Sequence, residues 1–247
     1  MNIEKHNLWC DDDGHLNNDQ AKVIMQLSKE KKPKYCLETG FCTGRSALSV
    51  ILGNKDNIEK FITIDIDFDY MPFGKSMLKK FESDCSFFHG IENNSKEILT
   101  KEFLDKEFPN GIDWFTVDGD HSYEGCTRDL QSALPYMNKN AIIIVDDYNS
   151  GPPNGHSIPV VTKACDDFYK ENSDKVSRVI GNKQHGLKLD KVIDSFDVVH
   201  RCNLAWMGKG NGTVFGKLAM CNHVYQNFVK TQNSKQEIIG LYSTDYT

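Results

Sequence analysis

Tyr35-Cys36-Leu37-Glu38-Thr39-Gly40-Phe41-Cys42-Thr43-Gly44-Arg45-Ser46 is the stretch whose reading decides the fold. Its first three residues form a short apolar strand, and the two glycines that follow let the backbone turn and approach a ligand closely. Ala47, Leu48, Ile51 and Leu52 then recur at helical spacing, so the turn opens into a helix whose first amides face whatever the turn holds. Gly53 reads as the residue that ends this helix. Strand, glycine turn and helix in that order predict a βα unit of a parallel sheet. The turn is not a dinucleotide fingerprint. Glu38 stands where Gly-x-Gly-x-x-Gly needs its first glycine, and the spacing present is Gly-x-x-x-Gly.

The alternation continues on both sides. Upstream, Ala21, Ile24, Met25 and Ser28 share one face of a helix that starts at Asn18 and stops before Pro33. Downstream, Phe61-Ile62-Thr63-Ile64 reads as a second strand ending at Asp65-Ile66-Asp67, which puts an acid where a ribose diol would find an acceptor. A strand-ending Asp that only caps the next turn is the plainer alternative. Next come a helix over 74–81, a strand at 86–88, a charged helix from Ser95 to Lys106, a strand from Ile112 to Val117 and a helix from Tyr123 to Leu134. Ala141 to Val145 is an uninterrupted aliphatic run, as in a strand buried on both faces. Val160, Val161, Ala164 and Phe168 mark another helix.

Antiparallel closing strands are expected at 176–179 and 196–207, with 186–193 ambiguous. Gly208 to Gly212 lacks the Gly-Lys-Ser/Thr of a phosphate loop and reads as a simple turn. A tail helix over about 215–229 would cover the sheet or make a subunit contact, which leaves a homo-oligomer open. The fold expected is α/β: a Rossmann-like doubly wound sheet of about seven strands, mostly parallel with a C-terminal antiparallel strand. Residues 1–17 would be an extension, 18–212 the main domain and 213–247 a helical tail.

The acids of the chain collect where these strands end. Phe115-Thr116-Val117-Asp118-Gly119-Asp120-His121-Ser122 taken alone is equally well a polar connection between strand and helix. Asp146-Asp147 closes the aliphatic strand in the same way. Ligands of open α/β sheets bind beyond the carboxyl ends of the strands, and Glu38, Asp65, Asp118, His121, Asp146 and Asp147 all emerge at that one edge.

Composition narrows the partners. The net charge of −6 supplies no basic stripe for nucleic acid. The eight cysteines include no Cys-x-x-Cys pair and several lie in apolar runs, which suits a reducing cytoplasm. No apolar run has the length of a membrane span. Asp11-Asp12-Asp13-Gly14 resembles the start of a calcium loop, but Lys22 falls where the bidentate Glu is required, so an acidic turn is the better reading.

With these residues laid out, the chain resembles class I S-adenosylmethionine-dependent methyltransferases over roughly residues 18–210. It is most similar to the small-molecule O-methyltransferase branch. Glu38-x-Gly40-x-x-x-Gly44-x-Ser46 looks like the glycine turn of the catechol and caffeoyl-coenzyme A enzymes, and Asp65 falls on their ribose-binding acid. The Asp118-x-x-His121 spacing is similar to magnesium-dependent enzymes acting on macrolide sugars. The resemblance implies S-adenosyl-L-methionine held by Glu38, Gly40, Thr43, Gly44, Ser46, Asp65, Ile66 and Asp118. It implies Mg²⁺ held by Asp118, Asp146 and Asp147, catalysis by His121 and Asp118, and a small hydroxylated acceptor. In this picture the ion lowers the pKa of the acceptor hydroxyl and His121 takes its proton. Two positions depart from the pattern: Asp147 replaces the Asn of the catechol group, and Cys42 replaces an aromatic or polar residue in the turn. A metal-free methyltransferase, a metal-dependent hydroxylase or hydrolase, and a non-catalytic binding protein are the other readings.

Overall fold

In a computed structural model, which describes residues 18–70, 74–146, 159–179 and 236–240, strands and helices alternate along the chain. Helix α1 (Asn18–Lys31) leads into β1 (Tyr35–Thr39) and α2 (Arg45–Asn54), then β2 (Lys60–Asp65) and α3 (Gly74–Asp84). They are followed by β3 (Phe88–Glu92), α4 (Ser95–Ile98), α5 (Lys101–Glu107), β4 (Ile112–Val117) and α6 (Tyr123–Ala133). The chain continues with β5 (Met137–Val145), α7 (Pro159–Glu171) and β6 (Val176–Val179); the last strand described is β7 (Gln236–Gly240).

The order across the sheet is β3-β2-β1-β4-β5-β7-β6, and every pairing is parallel. Strand order reverses between β1 and β4, which makes the crevice at their carboxyl ends the expected ligand position. Alternation along each strand feeds two cores. Cys36, Trp114, Ile142 and Ile144 face α1, α2 and α3, whereas Leu37, Phe115, Ile143 and Val145 face α5, α6 and α7. Trp114, Phe61, Phe81, Phe108, Phe115 and Phe168 are fully buried, each worth about 1.5–3 kcal/mol or more over exposure.

Several boundaries differ from those read off the sequence. Gly53 lies inside α2 and does not end it: a Cβ there would stand 2.2 Å from the Met25 carbonyl oxygen, so the glycine lets α1 cross closely. The charged helix is two helices, because Thr100 caps α5 by accepting the Phe103 amide. β3 begins at Phe88 and runs through Gly90, where the missing side chain makes room for Leu78 of α3. The strand expected to be antiparallel at Val176–Val179 is parallel, since α7 carries the chain back across the sheet before it. Gln236–Gly240, within the tail read as helical, pairs in parallel with β5. The extension 1–17, the strand at 196–207, the turn at 208–212, the tail helix at 215–229 and Asp147 lie outside the described residues.

Candidate active site

The glycine turn after β1 is a left-handed staircase. Gly40, Cys42 and Gly44 have φ of 84°, 52° and 77°. A Cβ on Gly40 would lie 1.9 Å from the Asp118 carbonyl oxygen, so only glycine allows β1 and β4 to end this close together. Cys42 holds the same backbone region at a cost on the order of 1–2 kcal/mol. Asp65 offsets that cost. Its Oδ2 accepts the amides of Phe41 (2.7 Å) and Cys42 (3.0 Å), and its Oδ1 accepts the Asp67 amide (3.1 Å). An ionised carboxylate offers about four lone-pair sites. Three amides use Asp65, so one acceptor position is left. Ile66, next to it, is 69% exposed, an apolar side chain left at the edge of the crevice.

Glu38 and Ser46 occupy different surroundings from those expected of ligand residues. Glu38 is fully buried, and its two oxygens accept hydrogen bonds from Ser46 and from Thr63 Oγ1 (2.7 Å), its register partner on β2. Burial pushes the Glu38 carboxyl up to about 8. It therefore pins the first turn of α2 to the two strands from beneath. Thr43 is half-buried in the turn, and burial pushes the Cys42 thiol up to about 11, so the thiol stays neutral.

The loop after β4 divides its acids. The Asp118 amide donates to the Thr39 carbonyl (2.8 Å) and the Asp146 amide to the Val117 carbonyl (3.0 Å), which sets Asp118 and Asp146 at the ends of neighbouring strands. His121 Nε2 lies 3.1 Å from Asp118 Oδ1, with the two side chains 43% and 28% exposed. Asp120 turns the other way. Its Oδ1 accepts the Ser122 amide (2.9 Å), its carboxyl packs on Gly125, and Ser122 Oγ caps α6 by accepting the Gly125 amide (2.9 Å). These backbone bonds hold the Asp120 carboxyl below the usual carboxylate range. The result is a carboxylate–imidazole pair open to the crevice and a second acid engaged in starting the helix.

No group of three or more His, Cys, Asp or Glu side chains able to hold a metal ion occurs among the described residues. Asp118 and Asp146 end neighbouring strands, and Asp147 lies outside those residues. One buried acid escaped the sequence reading. Asp129 has no exposed surface, although its place at helical spacing with Cys126, Leu130 and Ala133 marks an apolar stripe.

Comparison with known proteins agrees with this architecture. Residues 37–148 match the family model described as a methyltransferase domain. The chain is 37% identical over 60 residues to an uncharacterized protein of Acanthamoeba polyphaga mimivirus, a match covering 24% of this chain and 27% of that protein. It thus spans about a quarter of the curated relative it matches, at 27%. Among solved structures it is similar to the O-methyltransferase TomG from Streptomyces achromogenes, involved in tomaymycin synthesis and in complex with SAM. That likeness has a TM-score of 0.50 and 16% identity, and covers 65% of this chain and 70% of the other. The O-methyltransferase from Bacillus cereus in complex with SAH gives a TM-score of 0.51 at 15% identity, covering 65% of this chain and 71% of the other. At these identities the structures speak for the fold alone, and residues 37–148, a little under half of the chain, match the model of a methyltransferase domain.

Proposed function

We propose that this chain transfers a methyl group from S-adenosyl-L-methionine to the hydroxyl of a small molecule, with His121 as the general base oriented by Asp118. The observation that carries the reading is the half-exposed Asp118–His121 pair at the end of β4, across the sheet's switch point from the glycine turn. The bound cofactor supplies an electrophilic methyl group on a sulfonium sulfur. Asp65 offers its remaining acceptor position to the ribose, the turn from Gly40 to Gly44 admits close approach of the backbone, and Ile66 gives an apolar contact. Glu38 and Ser46 support that turn from below. His121 takes the hydroxyl proton as the acceptor oxygen gains the methyl group and sulfur leaves with the bonding pair. Asp118 holds the imidazole in place and stabilises its charged form. General-base catalysis of this kind is worth about 10²–10⁴-fold.

Mg²⁺ would be held by Asp118, Asp146 and Asp147 and would acidify the acceptor hydroxyl. Asp118 and Asp146 end neighbouring strands, Asp147 lies outside the described residues, and the proton step is assigned to His121 whether or not an ion is bound. The described cysteines Cys36, Cys42, Cys85, Cys126 and Cys165 form no disulfide, in keeping with a reducing cytoplasmic setting.

Methyl transfer to a panel of hydroxylated small molecules tests the assignment. His121→Ala should lower kcat by about 10²–10⁴-fold with little change in S-adenosylhomocysteine affinity. A variant as fast as the wild type would remove His121 from the chemistry. Rates unchanged in EDTA agree with the assignment, whereas a loss restored by Mg²⁺ would bring Asp147 into an ion site.

A further inference from the structure

Asp129 is a buried acid that the methyl-transfer chemistry described above does not use. It lies on α6 with no exposed surface, among Cys126, Leu130 and Ala133. The hydroxyls of Ser95, the first residue of α4, and of Thr39, the last residue of β1, hydrogen-bond its carboxyl. Burial pushes that carboxyl up to about 6, against the two hydroxyls and the charge of Arg128, while Asp120 adds to the rise. At neutral pH it is largely ionised, and an ionised carboxylate only accepts hydrogen bonds. Both hydroxyls are thereby fixed as donors.

Thr39 is where this acid reaches the crevice. Its hydroxyl is held by Asp129, and its carbonyl accepts the Asp118 amide (2.8 Å). The next residue of the loop rests on the same side chain, since a Cβ on Gly119 would lie 3.2 Å from Thr39 Cβ and 3.4 Å from its Oγ1. Thr39 therefore fixes where the loop after β4 starts, and in that loop Asp118 Oδ1 is 3.1 Å from His121 Nε2. Packing alone asks for an apolar residue at 129, because a buried charge is costly unless its bonds are needed. Resting on the methyl-transfer reading, we propose that Asp129 is a positioning residue: by holding the Thr39 hydroxyl it sets the start of the β4 loop and so the Asp118–His121 pair.

Methyl-transfer kinetics and amide hydrogen exchange on the full chain test this together. Asp129→Ala, assayed well below its melting temperature, should lower kcat by about 10- to 100-fold, the range of a misplacement near 1 Å, with the affinity for S-adenosylhomocysteine unchanged. Asp129→Asn can accept from one hydroxyl and donate to the other, and should recover most of the rate. In the alanine variant the Asp118 amide should lose protection while that of Phe115, inside β4, keeps it. Thr39→Val removes only the hydroxyl and should give the same split, which covers an alanine variant that does not fold. An unchanged kcat, a fall in kcat matched by lost cofactor affinity, or an asparagine variant as slow as the alanine one would overturn the role. The exchange measurement needs no turnover. A wild type without methyl transfer defeats the methyl-transfer reading, whereas full protection of the Asp118 amide in the variants defeats the positioning role.

Discussion

The glycine turn after β1 and the loop after β4 begin side by side, Thr39 opposite Val117 in the sheet, and the acids of the turn are treated in the opposite way from Asp118 of the loop. Around the turn, the acids are engaged within the protein: Asp65 by three amides, Glu38 by two hydroxyls. In the loop, Asp118 and His121 meet each other at the surface of the crevice. The difference separates two tasks. A cofactor is best served by backbone fixed before it arrives, and proton transfer needs an ionisable pair the acceptor can reach.

Replacing Gly40 should do the most damage to this contrast, because it joins the two regions. Gly40→Ala puts a Cβ into the Asp118 carbonyl and strains a φ of 84°. A loss of roughly 3 kcal/mol of stability and no measurable S-adenosylhomocysteine binding are expected in melts and calorimetry. Wild-type affinity would mean that the turn and the β4 end are not locked together. Asp65→Ala strikes the turn alone. It removes the acceptor of the Phe41 and Cys42 amides together with the proposed ribose acceptor, and should weaken S-adenosylhomocysteine at least about tenfold, the range of a lost charge-assisted hydrogen bond. The Asp118–His121 loop should keep its conformation, and a matching change in the His121 NMR signals would blur the division.

The smallest effect concerns Glu38, and its sign follows from burial. The folded protein holds this proton up to a pH of about 8, against an ordinary value of 4.5, whereas the unfolded chain releases it earlier. Its contribution is complete below about 4.5 and is lost as pH rises through about 8. Wild-type Tm should therefore decline across that window more than the Tm of Glu38→Gln. Parallel profiles would show that Glu38 is already ionised in the folded state, as an acid open to solvent would be.

The parts legible in the sequence were those written in periodicity and strand ends. Cys36/Leu37, Trp114/Phe115 and Ile142/Ile143 alternate between the two cores, so strands β1, β4 and β5 could be placed before any pairing was known. Asp65, Asp118, His121 and Asp146 could be placed at one edge for the same reason. The partners of these side chains could not, because they depend on register and on backbone conformation. Glu38 meets Thr63 only through the β1–β2 pairing, and Asp65 meets the turn amides only because Cys42 adopts a positive φ. Asp129 had a visible signal, an acid on an apolar helical stripe, but no sequence pattern places it against Thr39. The parallel course of β6 depends on the crossover through α7, which a four-residue strand does not announce.

Titration of the full-length wild-type chain with S-adenosylhomocysteine in a calorimeter tests the central claim most directly. One site per chain with a micromolar Kd, about −8 kcal/mol, is the result predicted for a crevice whose glycine turn and Asp65 are already in place. A flat titration at protein concentrations well above that Kd would contradict the cofactor class, and with it the roles given to the turn and to the Asp118–His121 pair.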